Sequence, residues 1–252
     1  MDYDKITTEY YAQWLGVSPG QMAGQGVAFV FSEERDKRQA GYSKQFDLFA
    51  WMRGGLTIIS YGSGMTGVIH RIKEKVSSQM TVSSFVSLLR EEYGTEPRRG
   101  IKFVYAAQDR AGRQHAAGVR KLERTDFPLF YAFFTANNPG AKDTGWLKGY
   151  YEDIIGLGFV YGMVLDGKLI SVTDLPSMPY MAGQVQEIGI NTLKEYRGKG
   201  YAKAVCEACI GDLVNNGVCP MWSTGIDNAA SEYLAYSLGF QMLAETVIVS
   251  LR

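Results

Sequence analysis

The stretch from Glu187 to Phe240 constrains this chain most. It begins Glu187-Ile-Gly-Ile-Asn-Thr-Leu-Lys-Glu-Tyr-Arg197-Gly-Lys-Gly200-Tyr-Ala202 and continues into an amphipathic segment. Pro220-Met-Trp-Ser-Thr follows, and then Asn228-Ala-Ala-Ser231-Glu-Tyr-Leu-Ala-Tyr-Ser-Leu-Gly239-Phe240. Periodicity and glycine placement predict a strand, a glycine-bearing loop that opens a helix, a second strand, and a second helix ending at a glycine. A strand, loop and helix whose backbone N–H groups converge at the helix start form a phosphate-binding arrangement. On the first helix, Ala202, Val205, Cys206, Cys209, Ile210 and Leu213 make one apolar stripe that Asn216-Gly217 ends. The Cys206-x-x-Cys209 pair lies on that stripe with no second cysteine pair to complete a metal or redox motif, so it reads as packing.

A chain of 252 residues suffices for one large or two modest domains. Its 26 basic and 26 acidic residues cancel and no Lys/Arg block stands out, which argues against a nucleic-acid groove or an anionic membrane partner. No apolar run approaches the roughly 18 residues a membrane span requires. The start, Met1-Asp-Tyr-Asp-Lys-Ile, shows no secretory signal. With three cysteines, the expectation is a cytoplasmic protein without a metal.

Ahead of the opening stretch, Lys5 to Leu15 reads as a helix, Val27 to Phe31 as a strand, and Ser32 to Lys44 as an exposed connection. Asp47 to Trp51 and Leu56 to Ser60 read as strands around Gly54-Gly55. Gly62-Ser-Gly64-Met-Thr-Gly67 spells G-x-G-x-x-G after a strand, the dinucleotide-binding signature. No acidic residue closes a second strand about 20 residues on, so a turn that permits tight strand–helix packing is the competing reading. Val82 to Tyr93 is helical and Ile101 to Ala106 a strand; the polar run Gln108 to His115 reads as a linker. The expected division is an N-terminal α/β domain, residues 1–112, and a second domain, residues 113–252. The second domain reads strand, helix, helix, three strands, helix, strand, helix, strand. Asp166-Gly167 marks a hairpin, and Val185 to Thr192 is expected as one strand.

That order and the motif Arg197-x-x-Gly200-x-Ala202 resemble the GNAT superfamily of acyl-CoA-dependent N-acetyltransferases, over roughly residues 117–252. Asn228 and Leu238-Gly239-Phe240 fall at family-like spacing. The whole chain also resembles a bacterial subgroup whose GNAT domain follows a second α/β domain. The resemblance implies an α/β (α+β) fold with a mixed, mostly antiparallel sheet flanked by helices. It implies transfer of an acetyl group from acetyl-CoA to a primary amine, of a small molecule or a peptide, in a ternary complex. A homodimer is compatible with it.

By this resemblance Arg197, Gly198, Lys199, Gly200, Tyr201 and Ala202 bind the pyrophosphate. Gly198 and Gly200 allow close backbone approach and the helix start adds partial positive charge; Lys199 and Lys203 screen phosphate charge. Main-chain groups of Ile188, Gly189 and Ile190 hold the pantetheine arm and polarise the carbonyl. Asn228 hydrogen-bonds that arm and also reads as a plain N-cap. Glu187, at the start of the strand, takes the place of the base. The family often has a tyrosine five residues before the phenylalanine of Gly-Phe, where it protonates the leaving thiolate. That position is Ala235 here, and Tyr236 points about 100° away on a helix. Ser231, on the face of Ala235, is the alternative acid through water, and Tyr236 a further candidate. Trp14, Tyr42, Trp51 and Tyr61 read as core aromatics or as a wall on the acceptor side, and the N-terminal part as a substrate-side cap or a degenerate GNAT-like half. Two other readings stand beside this one: an acyl-CoA-binding regulator without turnover, and an NAD-binding oxidoreductase using Gly62 to Gly67.

Overall fold

Local signals start and stop the helices where chemistry allows. The computed structural model describes residues 1–42, 44–94, 96–107 and 116–250. Helix α1 (Tyr3–Leu15) is capped by Asp2, whose carboxylate accepts from Lys5 N at 3.0 Å, and stops at Gly16, with φ +74°. Helices α2 (Thr66–Ile72) and α3 (Val82–Tyr93) follow, the latter capped by Thr81 and Gly94. Then come α4 (Phe127–Asn137), α5 (Leu147–Gly156), α6 (Tyr201–Asn215) and α7 (Ala229–Ser237).

The strands are β1 (Gly26–Phe31), β2 (Leu48–Arg53), β3 (Leu56–Tyr61), β4 (Arg98–Tyr105), β5 (Val119–Lys121) and β6 (Tyr161–Leu165). After them come β7 (Lys168–Asp174), β8 (Val185–Glu187), β9 (Gly189–Thr192), β10 (Cys219–Gly225) and β11 (Phe240–Val249). They form a seven-stranded sheet of order β1-β3-β2-β11-β4-β10-β8 and a four-stranded sheet of order β5-β6-β7-β9. The pairs β1–β3 and β8–β10 are parallel and the others antiparallel. The expected mixed, mostly antiparallel sheet flanked by helices is what the chain builds. Asp166 and Gly167 turn the β6–β7 hairpin with φ +48° and +74°, as two-residue turns of this kind need.

Three features depart from the sequence reading. The strand expected over Val185 to Thr192 is broken at Ile188, because its first half pairs with β10 and its second with β7. The connection expected to be exposed buries Arg35 completely, its guanidinium stacked 4.8 Å over Trp14 and donating to Trp14 O at 2.9 Å. Finally, β4 lies between β10 and β11, so strands from both ends of the chain share one sheet. The boundary expected at 112/113 and the linker from Gln108 to His115 lie outside the described residues.

Strand alternation sorts the interior. Ile101, Phe103 and Tyr105 of β4 point into a core with Trp222, Phe240 and helices α4 to α7. Met221 and Val104 face the opposite way, toward Tyr10, Tyr11, Trp14 and Phe46. Helices α2 and α3 close a third cluster on the other face of β2, β3 and β11. Cys206 and Cys209 are fully buried, as the apolar stripe requires.

Candidate active site

Two sheet edges meet without pairing, and the site lies between them. Ile188 N still donates to Met221 O at 3.0 Å; beyond it β9 turns away and hydrogen-bonds only β7. Gly189 makes the turn possible, since a Cβ there would stand 3.1 Å from Asp174 Cβ and 3.3 Å from its carbonyl oxygen. The free edge of β9 and the end of β10 therefore wall a cleft of about 960 Å³, the size of a cofactor site. Unpaired strand edges offer main-chain donors and acceptors to an extended ligand.

At one end the cleft meets the start of α6. Gly198 and Gly200 hold φ of +74° and +83°, which places the loop amides ahead of the helix. The first bond onto this turn runs from Ala204 N to Gly200 O at 3.1 Å, so the preceding amides keep their donors for a ligand. A Cβ at either glycine would meet nothing within 4 Å, so the space in front of the loop is open. Arg197 is anchored by Nε donating to Thr192 O at 2.9 Å.

The structure gathers most of the residues singled out from the sequence. Ile188, Gly189, Ile190, Arg197, Gly198, Gly200, Tyr201, Ala202, Lys203, Asn228 and Ser231 all line the cleft. Asn228 caps α7, accepting from Ser231 N at 3.1 Å, as the N-cap reading expects, and it also lines the cleft. Ser231 Oγ accepts from the buried Trp222 indole at 3.2 Å, which leaves its own proton to donate. Lys199 is not among the lining residues; its ammonium sits over the Tyr196 ring at 5.4 Å.

Glu187 stands at the cleft's margin. Ser223, itself a lining residue, donates to one of its carboxylate oxygens, and Tyr42 OH donates to the other at 3.1 Å. Burial and that carboxylate push the Tyr42 hydroxyl well above the usual phenol range, so it remains a donor. Tyr236 is not brought to the cleft; its ring packs edge-on to Phe103, centroids 5.6 Å apart, and its hydroxyl donates to Glu232 at 3.3 Å. Ala235 is fully buried. The sequence reading missed Tyr233, which is exposed on α7 and lines the cleft, and Trp222, which orients Ser231. Helical spacing from Asn228 was the signal available for Tyr233. The bond between Trp222 and Ser231 had none.

The Gly62 to Gly67 loop is built for packing. A Cβ at Gly62 would lie 2.3 Å from Asp36 Oδ1, and that oxygen accepts from Ser63 N at 2.8 Å and Ser63 Oγ at 3.0 Å. A carboxylate thus occupies the place a phosphate would need, ahead of a helix of only 7 residues. Among the described residues no group of three or more His, Cys, Asp or Glu side chains converges on a point, and no helix is long and apolar enough to cross a membrane.

Comparison with known proteins agrees with this geometry. A family profile described as GNAT acetyltransferase matches residues 150–249. The uncharacterized N-acetyltransferase YdfB of Bacillus subtilis is 37% identical over 117 residues, which is 43% of each chain. Two solved structures share the fold: a GNAT-family acetyltransferase of Colwellia psychrerythraea (TM-score 0.51, 19% identity, 62% of this chain and 56% of that one) and a GCN5-related N-acetyltransferase of Sphaerobacter thermophilus (TM-score 0.52, 17% identity, 68% and 57%). The chain spans less than two thirds of the length of each of these relatives. The cleft between β9 and β10, with the glycine turn that opens α6, lies inside residues 150–249, the stretch that the GNAT acetyltransferase family profile matches.

Proposed function

We propose that the chain binds acetyl-CoA in this cleft and catalyses transfer of the acetyl group to a primary amine by direct attack in a ternary complex. The observation that carries the proposal is the parting of β9 from β10 immediately before the glycine turn of α6, with Glu187 where the strands part. The residues fit such a ligand: the amides at Gly198 to Ala202 suit a pyrophosphate, and the free edge of β9 suits an amide-bearing arm. Acetyl-CoA, when bound, supplies an acyl thioester.

The chain's own groups do the rest. Glu187 accepts the proton of the attacking amine, its two oxygens oriented by Tyr42 and Ser223. Main-chain N–H groups on the free edge of β9, beyond the Ile188 bond to Met221, favour the developing negative charge on the carbonyl oxygen. The Ser231 hydroxyl, fixed by Trp222, offers a proton within the cleft. Tyr42 ties the N-terminal part to the base, which supports that part as a wall on the acceptor side.

Thiol release from acetyl-CoA across a panel of amines tests the proposal. Glu187→Gln lowers kcat about 10²- to 10⁴-fold and changes the pH profile. Full activity with an unchanged profile would sink the base assignment. Burial of Ala235, where the family's tyrosine would stand, favours a second reading, an acyl-CoA-binding regulator. Saturable CoA binding with no thiol release on any amine would select it.

A further inference from the structure

Beside Glu187, at the margin of the cleft, lies a second set of groups. Ser223 stands opposite Lys102 in the antiparallel pairing of β10 and β4, and Glu187 opposite Met221 in the parallel pairing of β8 and β10. Paired residues rise on the same face of a sheet. Glu187, Ser223 and Lys102 therefore share one face, the face that α1 covers with Tyr11. Each of the three, like Tyr42 and Val104, is only half-buried.

Lys102 is the unexplained member. It makes no ion pair and no hydrogen bond among the described residues. Its ammonium lies over the rings of Tyr11 and Phe49, each at 5.9 Å. Burial holds its pKa below the ordinary lysine range, while Glu187 favours its charged form from beyond ion-pair distance. On the same face Trp51 Nε1 and Thr246 Oγ1, paired across β2 and β11, are buried without partners. A cation held on rings with no anion beside it is placed to take the anion of a ligand.

We infer that the acceptor is a free α-amino acid, its amine directed to Glu187 and its carboxylate to Lys102. This rests on the acyl-transfer reading above and adds the substrate class. The part-exposed Tyr42 would flank the substrate, and a charge-assisted bond would hold the carboxylate. In the reaction the amine nitrogen bonds to the acetyl carbon and its proton passes to Glu187. The carbon–sulfur bond breaks, its electron pair leaving with sulfur, which takes up one proton as the thiol.

The test compares L-phenylalanine with 2-phenylethylamine, which differ only in the carboxylate, in wild type and Lys102→Met. Wild type favours phenylalanine, and the ratio of the two kcat/KM values falls roughly 30- to 100-fold in Lys102→Met, mainly through KM. Lys102→Arg, which keeps the charge, retains most of the ratio. Titration calorimetry of the CoA-loaded protein shows phenylalanine binding that Lys102→Met weakens. Three results would overturn the inference while acyl transfer stands: a wild-type preference for 2-phenylethylamine, equal use of both amines, or an equal loss on both in Lys102→Met with a shifted pH profile. The last would assign Lys102 to Glu187 instead of the substrate. Thiol release on no amine at all, with CoA still bound, would sink the acyl-transfer reading and this one with it.

Discussion

Gly198 and Gly200 are required by backbone conformation rather than by crowding, since both hold positive φ and a Cβ at either would stand in open space. Gly200→Ala should cost about 1 kcal/mol, a fall of about 2–4 °C in Tm for a chain of this size. It should raise KM for acetyl-CoA more than it lowers kcat, because the loop amides move. Thermal unfolding and CoA titration read the two effects separately. The spacing of these glycines was legible in the sequence because the constraint is local: each residue's own φ carries it. Ser231 was legible only as a position on a helix face. Its partner Trp222 lies on another strand, and their bond is a tertiary fact. Ser231→Ala leaves the Trp222 indole buried with no acceptor and should destabilise by about 1–3 kcal/mol. Adding Trp222→Phe removes the orphaned donor as well, so the double variant should lose less than the sum of the single losses in a denaturant-melt cycle.

Sequence reading placed α1, α3, α6 and α7, since caps and apolar periodicity are written into adjacent residues, but it joined β8 and β9. Nothing in Val185 to Thr192 forbids one strand; the break exists because its partners, β10 and β7, lie in different sheets. Lys102 was hidden for a related reason. Between Ile101 and Phe103 it reads as the solvent side of an alternating strand, and only α1, some ninety residues earlier in the chain, turns that side into a covered recess. The covering has a consequence for stability. The folded pKa of Lys102 lies below that of an ordinary lysine. Between that folded value and the unfolded value, about 10.4, the unfolded chain holds the extra proton, so stability rises with pH there. The penalty of the buried charge is therefore fully present at lower pH and is relieved as the medium becomes alkaline. Lys102→Met should melt higher than wild type near neutrality, and its advantage should shrink as pH approaches 10. An advantage that stayed constant across that range would show the penalty is not ionic.

The family match begins at Tyr150, yet the strands it contains do not close the sheet by themselves. Between β10 and β11 lies β4, from the N-terminal part, bonded to both. Its Ile101, Phe103 and Tyr105 are buried in the core of the C-terminal helices; the Tyr105 ring meets Phe240 at 5.1 Å, and Phe240 in turn meets Trp222 at 5.8 Å. Burying three such side chains contributes about 1.5–3 kcal/mol each, together as large as the whole stability of many domains, about 5–15 kcal/mol. Removing the strand also strips bonding partners from β10 and β11 and exposes two edges prone to aggregation. A fragment of residues 116–252 should therefore give no cooperative melt and should aggregate, although it contains the whole cleft. Supplying residues 1–107 as a separate chain should restore a cooperative transition and CoA binding. A soluble fragment that melts cooperatively and binds CoA alone would show that the C-terminal part folds without β4, and that the N-terminal part serves only as the wall beside Glu187.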